Sequence, residues 1–249
     1  MQPYLFPYIG YFQLIAAVDQ WVVFDTPQYV RHGWVNRNRI LHPTAGPKYI
    51  VIPLAKHEHS APICELKVHP TIDWKSKIVG QLKAYYGKKT KNAQTVIELV
   101  EESLDVSSTS LSAVLVNCLR CVCDYLDLKF NYVLASELEI DREKIDHAGQ
   151  WALEISKCLN ATEYINPVGG KELFNATEFE ESNIKLSFLT AGIDEYDQRN
   201  EEFVGVLSIL DVMIWNSQAS VKAMLQNYLL CHVEDRRIQS GLSKQGVTA

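Results

Sequence analysis

The chain has 249 residues, of which 47% are hydrophobic and 22% are charged, as in an ordinary folded protein. Its 24 basic and 30 acidic residues give a formal net charge of −6, which excludes a global basic surface for polyanions but still permits a local cluster. No stretch approaches the roughly 18 uninterrupted apolar residues that cross a bilayer, and the start shows no secretory signal pattern. We therefore expect a cytoplasmic protein without a membrane span.

The first elements place a carboxylate where a ligand is expected. Residues 9–18 predict a short helix, and Trp21–Phe24 predict a buried strand that ends at Asp25. Open α/β sheets bind ligands at the carboxyl ends of their strands, so Asp25 is a candidate catalytic base. His32, which lies beside the arginine-rich segment described below, is the second candidate base.

The remaining pattern alternates strands with helices. We predict a hairpin of strands 34–41 and 48–54, an irregular segment at 55–70, helices at 73–86, 91–104 and 109–127, a strand at 129–136, a helix at 146–159 capped by Asp146, a strand at 162–166, a helix at 177–182, a strand at 184–188, and helices at 207–215 and 221–230. Such alternation indicates an α/β fold with a largely parallel, covered sheet. We expect one domain over 1–232, with a helical insertion or cap at about 73–127, and a flexible tail at 233–249.

The cysteines indicate reduced thiols rather than a disulfide framework, because the chain is long and has no secretory pattern. Cys118, Cys121 and Cys123 fall in one predicted helix. Their offsets of three and five residues spread over more than one helix face, and no second ligand pair follows. We therefore interpret them as small packed side chains and predict no metal site, and the sequence leaves open which cofactor, if any, the protein uses.

Arginines and asparagines alternate in the first strand of the predicted hairpin. In an extended segment, Arg37 and Arg39 lie on one face while Asn36 and Asn38 lie on the other. Guanidinium groups match phosphate and carboxylate oxygens in pairs, so these two arginines, with Arg31, predict a site for a nucleotide diphosphate. The alternative is a solvated strand face with ordinary ion pairs.

A glycine marks the turn into the first helix. Gly10 lies where free backbone N–H groups and the positive end of a helix face a ligand, between Tyr8 and Tyr11. The Tyr-x-Gly-Tyr spacing is similar to the His-x-Gly-His turn of nucleotidyltransferase-type folds. The alternative is an aromatic cluster that closes the helix onto the sheet.

Two further features allow a ligand contact or a structural role. Gly169-Gly170-Lys171 follows a predicted strand and can wrap a phosphate or form a tight turn. Asp211 interrupts an apolar helical pattern and needs a partner, for which we predict an arginine of the 31–39 group. A buried structural ion pair is the alternative for Asp211.

Four sequence blocks, collinear over about residues 1–230, resemble the WbqC-like family of bacterial proteins. They are Gln2-Pro3-Tyr4 with Phe6-Pro7-Tyr8-Ile9-Gly10-Tyr11-Phe12-Gln13-Leu14-Ile15, Gln28-Tyr29 with Gly33-Trp34-Val35-Asn36-Arg37-Asn38-Arg39-Ile40, Tyr164-Ile165-Asn166 with Gly169-Gly170-Lys171-Glu172-Leu173, and Leu207-Ser208-Ile209-Leu210-Asp211-Val212. Relatives usually carry a short apolar strand before the first block, whereas this chain starts at Met1. Many also have a second acidic residue where this chain has Thr26-Pro27.

The resemblance implies a role in the biosynthesis of O-antigen and other surface polysaccharides. It points to an N-acyl transferase, glycyl or aminoacyl in type, that modifies a nucleotide-linked amino sugar. The acyl donor would be a thioester, an adenylate, an aminoacyl-tRNA or ATP with a free amino acid. Our alternatives are a non-catalytic sugar-nucleotide-binding or scaffold protein of the same pathway, and a nucleotidyltransferase-like enzyme.

The predicted substrate-binding residues come from the residue types themselves. They are Gln2, Tyr8, Gly10, Tyr11, Gln28, Tyr29, Arg31, Trp34, Asn36, Arg37, Asn38, Arg39, Gly169, Gly170, Lys171 and Asp211. In this scheme the arginines bind the diphosphate, Trp34 and Tyr29 stack on the base or sugar, and the asparagines contact hydroxyl groups. Backbone amides near Gly10 or Gly170 would stabilise the developing oxyanion.

Overall fold

The structure is a computed structural model that describes residues 1–87 and 89–233. Nearly all of the predicted tail, 233–249, therefore lies outside the described residues. Contacts divide the chain into two compact units, Met1–Glu137 with Gly192–Asn227, and Leu138–Ala191 with the chain from Tyr228 onward. Within the described ranges, no helix combines the length and the apolar character needed to cross a bilayer.

The first unit contains most of the helices. Its elements are α1 (Ile9–Ala16), β1 (Trp21–Val23), β2 (Arg37–His42), β3 (Gly46–Val51), α2 (Trp74–Tyr86), α3 (Asn92–Leu104), α4 (Leu111–Tyr125), β4 (Tyr132–Leu134), α7 (Ile209–Trp215) and α8 (Gln218–Met224). Two of the three helices in the predicted 73–127 region, α2 and α4, start at polar caps: Asp73 accepts from the N–H of Ser76, and Ser110 from that of Ala113. This region lies inside the first unit, and the single-domain organisation stays a prediction.

The second unit is a small α/β layer. Its elements are α5 (Gln150–Cys158), β5 (Glu163–Pro167), α6 (Ala176–Glu181), β6 (Lys185–Ala191) and β7 (Tyr228–His232). An apolar cluster that includes Leu153, Phe179 and Phe188 packs the helices against the sheet. The helix predicted at 146–159 starts at Gln150 after Gly149, so the prediction of Asp146 as its cap is wrong. The N–H of Asp146 instead donates to the side-chain oxygen of Gln150.

The strands form three small sheets. β1 pairs with β4 in parallel, β2 with β3 antiparallel, and β6 lies between parallel β5 and antiparallel β7. The mixed α/β class is confirmed, but the described residues show no large parallel covered sheet. β1 and β4 have three residues each. Polar turns at Asp25 and at the 3₁₀ helix Ala135–Glu137 follow them, and these turns end the ladder.

Part of one segment predicted as a helix forms a strand in the structure. The segment predicted as a helix at 221–230 splits into α8, which ends at Met224, and β7, which begins at Tyr228. A short apolar run suits either conformation. Pairing with β6 favours the strand, because β7 supplies hydrogen-bond partners for the backbone groups along that edge of β6.

The three clustered cysteines lie on α4 and are packed as small buried side chains, as predicted. Cys118, Cys121 and Cys123 are buried. Burial raises the pKa of all three thiols, in the case of Cys123 to about 12, so they remain protonated and chemically inert at neutral pH. Within residues 1–87 and 89–233, no group of three or more histidine, cysteine, aspartate or glutamate side chains is arranged to bind a metal ion.

Candidate functional site

Two arginines and two aromatic rings share one side of the β2–β3 hairpin. Arg39 pairs directly with Tyr49 across the ladder. The guanidinium carbon of Arg37 lies 4.4 Å from the Tyr49 ring centroid, and that of Arg39 lies 5.3 Å from the Trp34 ring. The Trp34 and Tyr49 centroids are 6.2 Å apart. We call this set of four residues the arginine–aromatic face.

The positive charge of this region is not neutralised by carboxylates. Among the described residues, none of Arg31, Arg37 and Arg39 has a carboxylate oxygen within 4.0 Å. The ordinary ion pairs of our alternative interpretation are therefore not observed there. Trp34 and Tyr49 are 46% and 43% exposed, so rings and cations are accessible together. Exposed aromatics beside unpaired guanidinium groups are suited to a planar anion such as a nucleotide.

The protein orients both guanidinium groups without cancelling their charge. Arg37 donates from Nε to the carbonyl oxygen of Gly33 at 2.9 Å and from Nη2 to that of His32. Arg39 has a single long contact, 3.5 Å from Nη2 to the carbonyl oxygen of Val206, and its buried Nε has no partner. Arg39 consequently retains most of its donors for a ligand.

The side chains of Asn36 and Asn38, on the opposite side of the hairpin, form hydrogen bonds within the protein. Asn36 donates to the carbonyl oxygen of Ile52 at 2.8 Å and accepts from the Tyr29 hydroxyl at 2.9 Å. Asn38 donates to the carbonyl oxygen of Phe6 at 2.6 Å, and its Oδ1 accepts from the next backbone N–H. Since these amides are buried and bonded to protein groups, they are not free to contact substrate hydroxyls.

The two predicted bases differ in accessibility. Asp25 follows β1, as predicted, but is 1% exposed. Its two oxygens accept from the N–H and the hydroxyl of Ser136 at 3.0 and 2.9 Å. His32 is exposed on the loop before β2 and has φ of 63°. Gln28, also exposed, ties this loop to the carbonyl oxygen of His59 at 2.9 Å.

The predicted residues around α1 divide into surface and core. Tyr8, half-buried at the start of α1, lines a cleft, and Gln2 is exposed. Tyr11 is 2% exposed. Its hydroxyl donates to the carbonyl oxygen of Gln2 at 3.1 Å, and its ring meets Tyr4 edge-on. Gly10 is buried in the first turn. Tyr11 thus belongs to the aromatic cluster of our alternative interpretation.

The glycine–lysine turn has a structural explanation. Gly169-Gly170-Lys171 forms part of the 3₁₀ helix Val168–Leu173 in the second unit. A side chain at Gly170 would place its Cβ 2.4 Å from Nδ2 of Asn166, so a larger residue would have to displace this buried amide. Lys171 is exposed and forms no ion pair with the described residues. The tight-turn interpretation accounts for Gly170 without a ligand.

The family model described as the WbqC-like protein family matches residues 2–223, a range that contains every predicted site residue. The chain belongs to the WbqC-like protein family. This WbqC-like chain is also 27% identical over 209 residues to the "Uncharacterized protein Rv1507c" of Mycobacterium tuberculosis (strain ATCC 25618 / H37Rv), covering 83% of this chain and 88% of that protein. No solved structure matches this WbqC-like chain.

Asp211 of this WbqC-like protein is fully buried and has neutral partners. It accepts from the hydroxyls of Tyr86 and Tyr196 at 2.6 and 2.8 Å and from Nε2 of Gln198 at 2.9 Å. The prediction of an arginine partner is therefore wrong. Burial raises the pKa of Asp211, while these donors oppose that rise. The sequence shows no signal for the three donors: Tyr86 lies 125 residues away in the chain, and Tyr196 and Gln198 lie in the segment before α7.

Three of the seven non-glycine residues with positive φ in the described part of the chain are hydrogen-bonded to side chains of β2. Phe6, His32 and Val206 have φ of 40°, 63° and 55°, a region that non-glycine residues rarely adopt. The carbonyl oxygen of Phe6 is held by Asn38 and by the Ser208 hydroxyl, at 2.6 and 2.8 Å. Such strain costs about 1–3 kcal/mol per residue and is concentrated at functional sites. In this WbqC-like protein the carbonyl oxygens of the three residues accept hydrogen bonds from Asn38, Arg37 and Arg39.

Proposed function

We propose that this WbqC-like protein is a transferase that acylates the amino group of a nucleotide-linked amino sugar during surface polysaccharide biosynthesis in the bacterial cytoplasm. One observation carries the binding half of this proposal: Arg37 and Arg39 have no carboxylate partner within residues 1–87 and 89–233, and they lie against two exposed rings. Guanidinium groups bind diphosphate oxygens, and aromatic rings stack on a base. The acyl-transfer half follows from what the family resemblance implies.

The structure favours His32 over Asp25 as the group that receives the proton of the attacking amine. When the new N–C bond forms, the amine loses one proton to the base and the acyl group loses its leaving group. The imidazole of His32 lies on an exposed loop, where it is open to a substrate. The Asp25 carboxylate is buried and engaged twice by Ser136, so we assign Asp25 to positioning the turn after β1.

Loss of either guanidinium is expected to weaken nucleotide binding. Arg37→Ala and Arg39→Ala should each raise the Kd for UDP-glucosamine, measured by calorimetry, by about 10- to 100-fold, because each removes a charge-assisted contact. Lys48→Ala is the matched control, since Lys48 pairs with Ile40 on the opposite side of the same hairpin and should leave the Kd unchanged. Equal affinities in all four proteins would contradict the assignment of the site.

Replacing His32 with asparagine is expected to separate binding from chemistry. Asparagine tolerates the positive φ of this position, so the loop should keep its conformation. We expect turnover to fall by about 100-fold or more with the Kd for UDP-glucosamine unchanged. Acylated product is measured by mass spectrometry with glycyl thioester, glycyl-tRNA, or glycine and ATP as donors. Product formation at the wild-type rate would exclude His32 as the base.

A non-catalytic sugar-nucleotide-binding protein is the second candidate. The observation that favours it is the buried Asp25 carboxylate, whose two oxygens already accept hydrogen bonds. This alternative expects UDP-glucosamine binding that depends on Arg37 and Arg39 but no acylated product with any donor. The nucleotidyltransferase alternative is not favoured, because Tyr11 of the predicted phosphate turn is buried in the core.

A further inference from the structure

We propose that a cleft beside α1 is a binding site for the ammonium group of a small ligand. It lies within the first unit, and its walls include the rings of Tyr8, Tyr196 and Phe203 and the carboxylate of Asp194. The site goes beyond the proposed function and does not rest on it, because the arginine–aromatic face binds the opposite charge.

The shape and lining of the cleft suit a small cation. The cleft is small: its volume is about 10 Å³, room for about one water molecule or one ammonium group. Tyr196 and Phe203 meet edge to face with centroids 5.2 Å apart, and Tyr8 adds a third ring. Among the described residues that line the cleft, Asp194 is the only one with a charged side chain. Aromatic ring faces attract cations, and ammonium groups above all.

Asp194 is positioned but not neutralised. Its Oδ1 accepts from Nδ2 of Asn227 at 2.6 Å, and no basic group of the described residues lies within 4.0 Å of it. Asn227 is itself fixed, because its carbonyl oxygen accepts from the N–H of Gly192 and from Nε2 of Gln13, both at 2.9 Å. The carboxylate is thus held at the cleft before any ligand arrives, which lowers the cost of binding.

A second carboxylate lies directly behind one wall. The Tyr196 hydroxyl donates to Asp211, which has neutral partners and no cation among the described residues. A phenol that donates to a carboxylate carries more electron density on its ring, and such a ring attracts a cation more strongly. The Asp211–Tyr196 pair and Asp194 therefore favour positive charge at the same cleft.

The other ligand classes fit poorly. An anion would meet the negative charge of Asp194 without a basic group to offset it. A purely apolar ligand would remove water from Asp194 and leave its carboxylate without a cation, which is costly. An ammonium group satisfies the carboxylate and contacts the rings at once.

The test uses ethylammonium as the probe and ethanol as its neutral analogue of similar size, with the full chain titrated and followed by NMR. We expect ethylammonium to bind in the millimolar range, at least about 10-fold more tightly than ethanol. Asp194→Asn should weaken its binding by about 10-fold, whereas Glu195→Gln, which removes the same charge one residue away and outside the cleft, should leave it unchanged.

Phe203→Leu provides a second variant that retains all charges and should weaken the cation several-fold through loss of the ring. It keeps the proposal testable if Asp194→Asn does not fold. Equal binding of the two probes, unaltered cation binding in both variants, or no binding of ethylammonium up to about 100 mM would overturn the proposal. UDP-glucosamine titrations measure binding at the arginine–aromatic face separately. Absence of binding at the cleft can therefore be distinguished from absence of binding at that face.

Discussion

Replacing Asp211 with leucine is expected to lower the free energy of unfolding by about 3–5 kcal/mol, because three buried donors lose their shared acceptor. Tyr86, Tyr196 and Gln198 would then be left without the carboxylate, and leucine supplies no hydrogen bond in return. Asp211→Asn keeps one acceptor oxygen and should lose about half as much. Urea unfolding followed by circular dichroism measures the change.

The control for this prediction is an exposed carboxylate of the same connecting segment. Asp197 forms an ion pair with Arg199, and their side chains are 68% and 75% exposed. Asp197→Ala should therefore change the free energy of unfolding by less than about 1 kcal/mol. If Asp211→Leu were as mild as Asp197→Ala, the carboxylate would not be the structural centre that its hydrogen bonds indicate.

Replacing Asn38 with leucine is the second large change, with an expected loss of about 2–4 kcal/mol. The side chain is 2% exposed and donates to the carbonyl oxygens of Leu5 and Phe6. Leucine is similar in volume but leaves these buried carbonyls with fewer donors. It also releases a restraint on Phe6, whose φ of 40° is strained. The melting temperature and the urea midpoint measure the effect.

Asn131→Leu is the matched control for Asn38→Leu. Asn131 is exposed, and its Nδ2 donates to the side-chain oxygen of Gln20 at 2.8 Å. Water can replace that bond, so we expect less than about 1 kcal/mol. Similar losses in the two variants would show that Asn38 does not anchor the amino-terminal loop.

Local patterns predicted which side chains share a side of β2 better than they predicted how the strands pair. Alternation along residues 34–41 correctly separated Arg37 and Arg39 from Asn36 and Asn38, because side chains of any strand point alternately to its two sides. The same pattern did not say which side faces the protein core. Tyr49, opposite Arg39, was missed although it lies in the predicted second strand, since the register across a hairpin depends on the turn.

The sequence by itself determined the family, the mixed α/β class, the hairpin and most helices, because these depend on residue identity and on the periodicity of neighbouring residues. Only the tertiary structure decided the partners of Asp211, the pairing of β7 with β6, and the division into three small sheets. Those outcomes depend on contacts between residues far apart in the chain. A buried carboxylate needs donors, and a sheet edge needs a strand, but no local pattern says which distant segment supplies them.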